Sequence, residues 1–213
     1  MQIELKEVSP LYLEKDKIAG SQIWAEDVVF RKSEKVQIIA PSGSGKTSLI
    51  HFLYRLRNDY TGSIRINESD IRNMTATELA NCRTHQLSVQ FQDLRLFGNH
   101  TGLQNILVKQ QLSPYPTGLS VEEMAARLGI EKKLFQKASL CSYGEQQRIA
   151  IVRALQQPFD FILLDEPFGY LDEQNRHKAM QLIEEQVELR GAGIILADLK
   201  KLDFFSADRI LYL

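Results

Sequence analysis

The eight-residue run APSGSGKT at positions 40–47 limits the possible folds of this chain more than any other segment. It follows the apolar run Val36 to Ala40 and precedes Lys46 to Leu56, where apolar residues recur at helical spacing. A glycine-rich loop between a buried strand and a helix is the context in which GxxxxGK[ST] forms a phosphate loop. We therefore predict a strand, a phosphate loop and a helix here. Ala40 replaces the first glycine of the pattern, and we expect this change to weaken nucleotide binding without abolishing it.

The chemistry of this loop indicates a nucleotide site. Successive main-chain amides and the start of a helix form a cradle for anions, and glycines let the backbone approach phosphate oxygens closely. Lys46 is predicted to reach the β- and γ-phosphates of ATP, and the Thr47 hydroxyl to bind the Mg²⁺ that bridges them. The predicted nucleotide contacts of the loop are Ser42, Gly43, Ser44, Gly45, Lys46, Thr47 and Ser48.

A second polar site is predicted where the apolar run Phe161 to Leu164 ends in two carboxylates. The carboxyl ends of parallel strands meet at one edge of a sheet, where ligands bind. Asp165 is therefore expected to face the Mg²⁺ held by Thr47. Glu166 lies one residue further on, where it is placed to orient or deprotonate an attacking water.

The order of the other segments predicts an α/β fold with a mostly parallel sheet, because strands alternate with helices. Helices are predicted at 145–157 and 172–190, and a small helical insertion at about 97–141. The other predicted strands are Ile3 to Val8, Gln22 to Phe30, Thr61 to Ile66, Leu87 to Phe91, Ile194 to Leu196 and Ile210 to Leu213.

The chain resembles the ATP-binding cassette family over essentially its whole length. The family's motifs occur in its order: the phosphate loop at 40–47, a glutamine loop at 89–93 (VQFQD), a signature at 141–148 (CSYGEQQR), the second Walker motif at 165–167 (DEP), a D-loop at 169–172 (GYLD) and a closing strand at 207–210 (ADRI). Within the family, the chain looks similar to the group that handles lipoprotein release, peptide export and cell-division signalling.

The resemblance implies one domain at 1–213: a P-loop nucleoside triphosphatase core, an antiparallel β lobe near the N-terminus and a helical subdomain at about 97–141. It also implies a head-to-tail dimer, either a homodimer or a heterodimer with another cassette subunit. In such a dimer, the signature of one subunit meets the ATP held by the other.

The resemblance also implies residue roles for the hydrolysis of ATP to ADP and phosphate. The implied catalytic residues are Lys46, Gln92 and Glu166. The implied Mg²⁺ ligands are Thr47, Gln92 and Asp165. The implied contacts to the partner's nucleotide are Ser142, Gly144 and Asp172.

Three positions depart from the family's pattern. Tyr143 replaces the first of the two glycines that normally follow the signature serine. No histidine follows the strand Ile194 to Leu196, where the family has one, and Asp198 lies there instead. The aromatic residue that stacks on adenine has one weak candidate, Tyr12, with plain packing as its alternative role. Because removal of one transition-state contact lowers rates by about 10²–10³-fold, we predict ATP binding with slow turnover.

Composition limits the partners. The formal net charge is -1, so no nucleic-acid partner is expected. No segment approaches the roughly 18 apolar residues of a membrane span. Any link to a membrane is therefore expected to come through a partner. The resemblance to the ATP-binding cassette family implies that this partner is a set of membrane-spanning permease subunits, with the chain in a peripheral location on the cytoplasmic face of the membrane. The two cysteines, Cys82 and Cys141, lack metal-ligand spacing and are predicted to be reduced thiols.

Three functions compete for these motifs. The first is the ATPase subunit of a transporter whose membrane-spanning subunits are separate chains, which the small size favours. The second is a soluble cassette ATPase without transport, such as an assembly scaffold. The third is a non-cassette P-loop kinase, which would leave the signature residues Ser142 to Glu145 unexplained.

Overall fold

The computed structural model describes residues 1–213, which form two β-sheets and seven α-helices. The strands are β1 (Gln2–Pro10), β2 (Val28–Arg31), β3 (Lys35–Ile39), β4 (Tyr60–Ile66), β5 (Ser69–Asp70), β6 (Leu87–Gln90), β7 (Phe161–Asp165), β8 (Gly193–Asp198) and β9 (Arg209–Tyr212). The helices are α1 (Lys15–Ala19), α2 (Lys46–Leu53), α3 (Ala76–His85), α4 (Gly102–Leu112), α5 (Val121–Arg127), α6 (Tyr143–Ala154) and α7 (Glu173–Arg190).

The larger sheet has the order β6-β7-β8-β3-β9, and all of its neighbouring strands are parallel. Its central strands are buried on both faces, as the continuous apolar runs predict. In β7, Phe161 and Leu163 pack into one hydrophobic core while Ile162 and Leu164 pack into another. The smaller sheet is antiparallel, with the order β2-β1-β4-β5, which confirms the predicted N-terminal β lobe.

Two cores hold helices against the parallel sheet. One lies between the larger sheet, α2 and the antiparallel sheet, and the other lies between the larger sheet and helices α4 to α7. Because the five strands are parallel, the segments that follow β3, β6, β7 and β8 all begin at the same edge of the sheet. This edge therefore brings together the phosphate loop, the glutamine loop, the two carboxylates and Asp198.

The predicted strand from Gln22 to Phe30 is wrong in its first half, because only Val28–Arg31 is a strand. The Ser21 hydroxyl accepts hydrogen bonds from the amides of Ile23 (3.0 Å) and Trp24 (2.7 Å), which favours a turn. Ala25 then has a φ of 60°, which is outside the range of regular β-strand backbone.

The region 97–141 contains α4, α5 and two short 3₁₀ turns at 131–133 and 138–140. Capping boxes start both α-helices: Thr101 caps α4 and Ser120 caps α5. None of the helices in the chain combines the length and the apolar character needed to cross a lipid bilayer.

Candidate functional site

The phosphate loop joins β3 to α2 with two glycines in the left-handed region, Gly43 (φ 79°) and Gly45 (φ 96°). A Cβ at Gly45 would lie 3.0 Å from the Trp24 ring, so this position has both a conformational and a steric reason to be glycine. The Trp24 indole N–H donates to the carbonyl of Ser44 (2.9 Å) and thereby holds the phosphate loop in place. No local pattern predicted this role for Trp24.

The amides of this loop form an open anion cradle. The main-chain N–H groups of Gly43 and of residues 45–48 donate to no acceptor within the protein, whereas the next amide, that of Leu49, bonds to the carbonyl of Gly45 (2.9 Å). Unpaired amides at the N-terminus of a helix attract anions. Ala40, the departure from the pattern, is completely buried, and its amide donates to the carbonyl of Asp198 (2.9 Å).

Asp165 ends β7 with a carboxylate that is completely buried and accepts no hydrogen bond. Burial raises the pKa of Asp165 to about 6, although the nearby Thr47 hydroxyl and Lys46 charge act in the opposite direction. A buried carboxylate without a partner is unfavourable unless a cation compensates it.

The residues around Asp165 fit a Mg²⁺ ion. The Thr47 hydroxyl donates to the side-chain carbonyl of Gln92 (3.5 Å). No group of three or more His, Cys, Asp or Glu side chains forms a metal cluster. A cation at this position would be held by the hydroxyl of Thr47, the amide oxygen of Gln92 and the carboxylate of Asp165, together with phosphate oxygens. Such oxygen ligands suit Mg²⁺.

Glu166 pairs with the phosphate-loop lysine, with its Oε1 atom 2.5 Å from the Nζ atom of Lys46. The backbone of Glu166 is in the left-handed region (φ 46°) and is held by two bonds. Its amide donates to the carbonyl of Ala197 (2.9 Å), and its carbonyl accepts from the Gln147 side chain (3.1 Å). Non-glycine residues in this conformation are strained and occur often at functional sites.

One cavity collects most of the predicted residues. Its walls are Tyr12, Ser42, Gly43, Gly45, Lys46, Thr47, Ser48, Gln92 and Glu166. Ser44 is turned away, because its hydroxyl donates to the carbonyl of Pro41 (2.9 Å). The predicted contacts Ser142, Gly144 and Asp172 do not line this cavity.

Tyr12 lies at the rim of the cavity with half of its surface exposed, so plain core packing does not describe it. Its hydroxyl is hydrogen-bonded to Ser48. Arg57, which no sequence pattern marked, donates to the Ser48 hydroxyl (3.1 Å) and lies 4.8 Å from the centre of the Tyr12 ring.

The signature serine, Ser142, is the N-cap of α6. It forms a capping box with Glu145, in which each residue accepts from the amide of the other. The amides of Tyr143 and Gly144 donate to no acceptor. A Cβ at Gly144 would lie 2.8 Å from the carbonyl oxygen of Tyr170, so a side chain does not fit there. Asp172 caps α7 by accepting from the amide of Asn175 (2.8 Å).

Asp198 is the last residue of β8 and lies where the family resemblance implies a histidine. Its carboxylate accepts from the amide of Leu199 (2.7 Å), and burial raises its pKa. It lines a second cavity together with Glu166, Arg176 and Lys200. Asp198 and Glu166 therefore share this cavity, and the charge of Glu166 adds to the effect of burial on the pKa of Asp198.

Comparison with known proteins gives the family. Residues 27–169, about two thirds of the chain, match the ABC transporter family. The chain is 35% identical over 186 residues to the macrolide export ATP-binding/permease protein MacB of Vibrio parahaemolyticus; this covers 85% of the chain but only 28% of that protein. It is 33% identical over 162 residues to the lipoprotein-releasing system ATP-binding protein LolD of Pseudoalteromonas translucida, covering 75% of the chain and 70% of that protein.

Comparison with solved structures leads to the same family. Two dimeric structures of the ABC transporter cassette MJ0796, described as bacterial, superpose with TM-scores of 0.81 and 0.79 at 26% identity. Each match covers 99% of this chain and 94% of the other. The second holds ADP and phosphate in a post-hydrolysis state. The predicted α/β fold is confirmed, and the chain belongs to the ABC transporter family as an ATP-binding cassette.

Proposed function

We propose that this chain binds Mg-ATP at the phosphate loop and hydrolyses it slowly within a dimer that changes the conformation of a membrane-spanning partner. The observation that carries this proposal is the convergence of five side chains beside the open amide cradle. They come from three places at one sheet edge: Lys46 and Thr47 from α2, Gln92 after β6, and Asp165 and Glu166 from the end of β7.

The residues divide the work as follows. Bound ATP draws the Nζ atom of Lys46 from Glu166 to the β- and γ-phosphates, because a phosphate carries more negative charge than one carboxylate. The freed Glu166 orients a water molecule and accepts its proton. Thr47, Asp165 and Gln92 hold Mg²⁺, which neutralises charge on the phosphates when it is bound.

The second half of the site comes from a partner subunit. Ser142 and Gly144 at the start of α6, together with Asp172, contact the nucleotide that the partner holds. Two findings support this assignment: the unpaired amides of Tyr143 and Gly144, and the likeness to dimeric cassettes. The cassette is one domain, 1–213, in which the segment at about 97–141 is a helical subdomain.

Turnover is slow because Asp198 lies where the family has a histidine. A carboxylate near the γ-phosphate repels the charge that builds up in the transition state. We expect turnover of the purified dimer well below about 10 s⁻¹, a typical enzyme value.

The partner is a membrane-spanning permease, and the cassette binds it on the cytoplasmic face. The relatives' names support this proposal, since they describe an ATP-binding/permease protein and the ATP-binding protein of a lipoprotein-releasing system. The chain spans less than a third of the macrolide export protein, so its permease is a separate chain or a further domain. None of these relatives favours the scaffold alternative.

The nucleotide site is tested with purified Glu166→Gln protein, which retains the phosphate loop and loses the proton acceptor. With Mg-ATP, size-exclusion chromatography is expected to show a dimer, and with Mg-ADP a monomer. The control is Lys46→Ala in the same background, which should stay monomeric. A Glu166→Gln protein that remains monomeric in millimolar Mg-ATP contradicts the proposed site.

The partner is tested by a pull-down of tagged Glu166→Gln protein with Mg-ATP from detergent-solubilised cells, read by mass spectrometry. Recovery of a protein with several membrane spans is expected. Recovery of soluble proteins alone would shift the function to a scaffold, and recovery of a second cassette alone would indicate a heterodimer.

A further inference from the structure

Tyr143, the residue that departs from the family's signature, is held in place by its own chain. It is the first residue of α6 and is about half exposed. Its hydroxyl donates to the main-chain carbonyl of Gln92 (3.3 Å), and its ring centre lies 4.1 Å from that of Tyr170. The side chain therefore joins the signature to the glutamine loop and to the D-loop.

Gln92 is thus held at both ends. Its main chain accepts from Tyr143, and its side chain accepts from the Thr47 hydroxyl (3.5 Å). Both contacts are at the long end of the hydrogen-bond range, so a small displacement of the Gln92 backbone is enough to break them. A shift of the loop would move the amide oxygen away from Thr47 and from the proposed Mg²⁺ position.

The loop around Gln92 needs support from outside. Leu94 and Arg95 both have positive φ values, 55° and 48°, a conformation that is unfavourable for residues with a Cβ. The Arg153 guanidinium, three turns along α6 from Tyr143, donates to the carbonyls of Leu94 and Arg95. Helix α6 therefore holds this loop by hydrogen bonds from two of its side chains, Tyr143 and Arg153, and the bond from Tyr143 is made to Gln92 itself.

We propose that Tyr143 is a positioning residue: by holding the main chain of Gln92, it sets the Gln92 side chain for the metal–nucleotide site. A glycine at this position, as in the family's pattern, has no side chain to make this contact. The proposal rests on the proposed function, because it concerns the residues assigned to Mg²⁺ there.

The test is the Tyr143→Phe variant of the full chain, which keeps the ring against Tyr170 and removes only the hydroxyl. Binding of the fluorescent analogue mant-ATP is titrated with Mg²⁺ and, separately, in EDTA. Loss of one net hydrogen bond corresponds to a change of about threefold to tenfold. We expect the apparent affinity for Mg²⁺ to fall by this factor while mant-ATP binding in EDTA stays unchanged.

Two further variants separate positioning from a general structural role. Tyr212→Phe also removes a half-exposed tyrosine hydroxyl, on strand β9, that makes no hydrogen bond to Gln92, Thr47 or any other residue, and it should leave both titrations unchanged. In a Gln92→Ala background, Tyr143→Phe should have no further effect on the Mg²⁺ titration, because the residue that it positions is absent. The thermal midpoint of Tyr143→Phe should stay close to that of the original chain.

Several results would overturn this role. They are an unchanged Mg²⁺ titration in Tyr143→Phe, an equal loss in Tyr212→Phe, or an undiminished effect of Tyr143→Phe in the Gln92→Ala background. Failure of the proposed function looks different. In that case the original chain itself does not bind mant-ATP, or Lys46→Ala binds it equally well, and the positioning role is lost with it.

Discussion

Asp165 destabilises the metal-free protein, and its replacement by asparagine should reveal by how much. Its carboxylate is completely buried without a hydrogen bond, and its pKa lies at about 6 against an ordinary 3.8. At about 1.36 kcal/mol per pH unit, this difference corresponds to about 3 kcal/mol of lost stability at pH 7. The asparagine amide also lacks partners there, which costs about 1–2 kcal/mol. We therefore expect Asp165→Asn to be more stable by about 1–2 kcal/mol at pH 7.

The raised pKa of Asp165 also fixes the direction in which its contribution to the free energy of unfolding changes with pH. Because the folded-state pKa is raised, the native protein binds more protons than the unfolded chain between about pH 4 and pH 6. The contribution of Asp165 to stability therefore falls as pH rises through this window, and its penalty is complete above pH 6. The advantage of Asp165→Asn should be present at pH 7 and absent below pH 4.

The assay is urea unfolding in EDTA at several pH values, with Asp203→Asn as the control. Asp203 is exposed and makes no hydrogen bond or ion pair, so this variant loses one negative charge without the burial effect. Mg-ATP should stabilise the original chain and the control but not Asp165→Asn, which lacks the metal ligand. The reasoning is refuted if Asp165→Asn is less stable than the original chain at pH 7, or if its advantage does not change with pH.

Three other substitutions test local features by chemical or thermal unfolding. Burial and two neighbouring arginines lower the pKa of Lys109 to about 8. Lys109→Met should therefore stabilise the protein by about 1–2 kcal/mol at pH 7, and this gain in stability should fade as pH rises from 8 to 10. A gain that does not depend on pH would contradict this cause. Gly62 has a φ of 73°, and a Cβ there would lie 2.3 Å from the carbonyl oxygen of Lys6, so Gly62→Ala should destabilise the fold by more than about 2 kcal/mol; a neutral result would mean that the β1–β4 pairing shifts easily. Ser142→Ala removes the cap that accepts from the amide of Glu145 and should destabilise the protein by about 1 kcal/mol, whereas Ser142→Asp, which retains an acceptor, should not.

Local chemistry in the sequence predicts the phosphate loop and the parallel sheet, and the resemblance of the ordered motifs indicates the family. The glycines at 43 and 45 have the positive φ values that such a loop requires. The apolar run at 161–164 is buried on both faces because its side chains alternate between two cores. These features depend on residues that are close in sequence and on the spacing of apolar side chains, and both can be read directly from the sequence.

Apolar periodicity gives a wrong prediction where a local side-chain hydrogen bond turns the backbone. Apolar residues from Gln22 to Phe30 predicted one strand, yet the Ser21 hydroxyl and the positive φ of Ala25 turn the chain before Val28. The same pattern predicts Trp24 as a strand residue, whereas its ring packs against Gly45 and its indole N–H donates to the carbonyl of Ser44 in the phosphate loop. Its partner lies 20 residues away, at a distance that no helix or strand period spans.

The contacts between the side chains of the site depend on the tertiary structure. Lys46 and Glu166 lie 120 positions apart in the chain and are brought to 2.5 Å, while Gln92 reaches Thr47 from a separate strand end. The direction of the Tyr143 ring was likewise open in the sequence, and contact with Gln92 and Tyr170 fixes it. The physical reason is that such contacts depend on strand order and helix packing, which arise from the burial of the whole chain and not from any single segment.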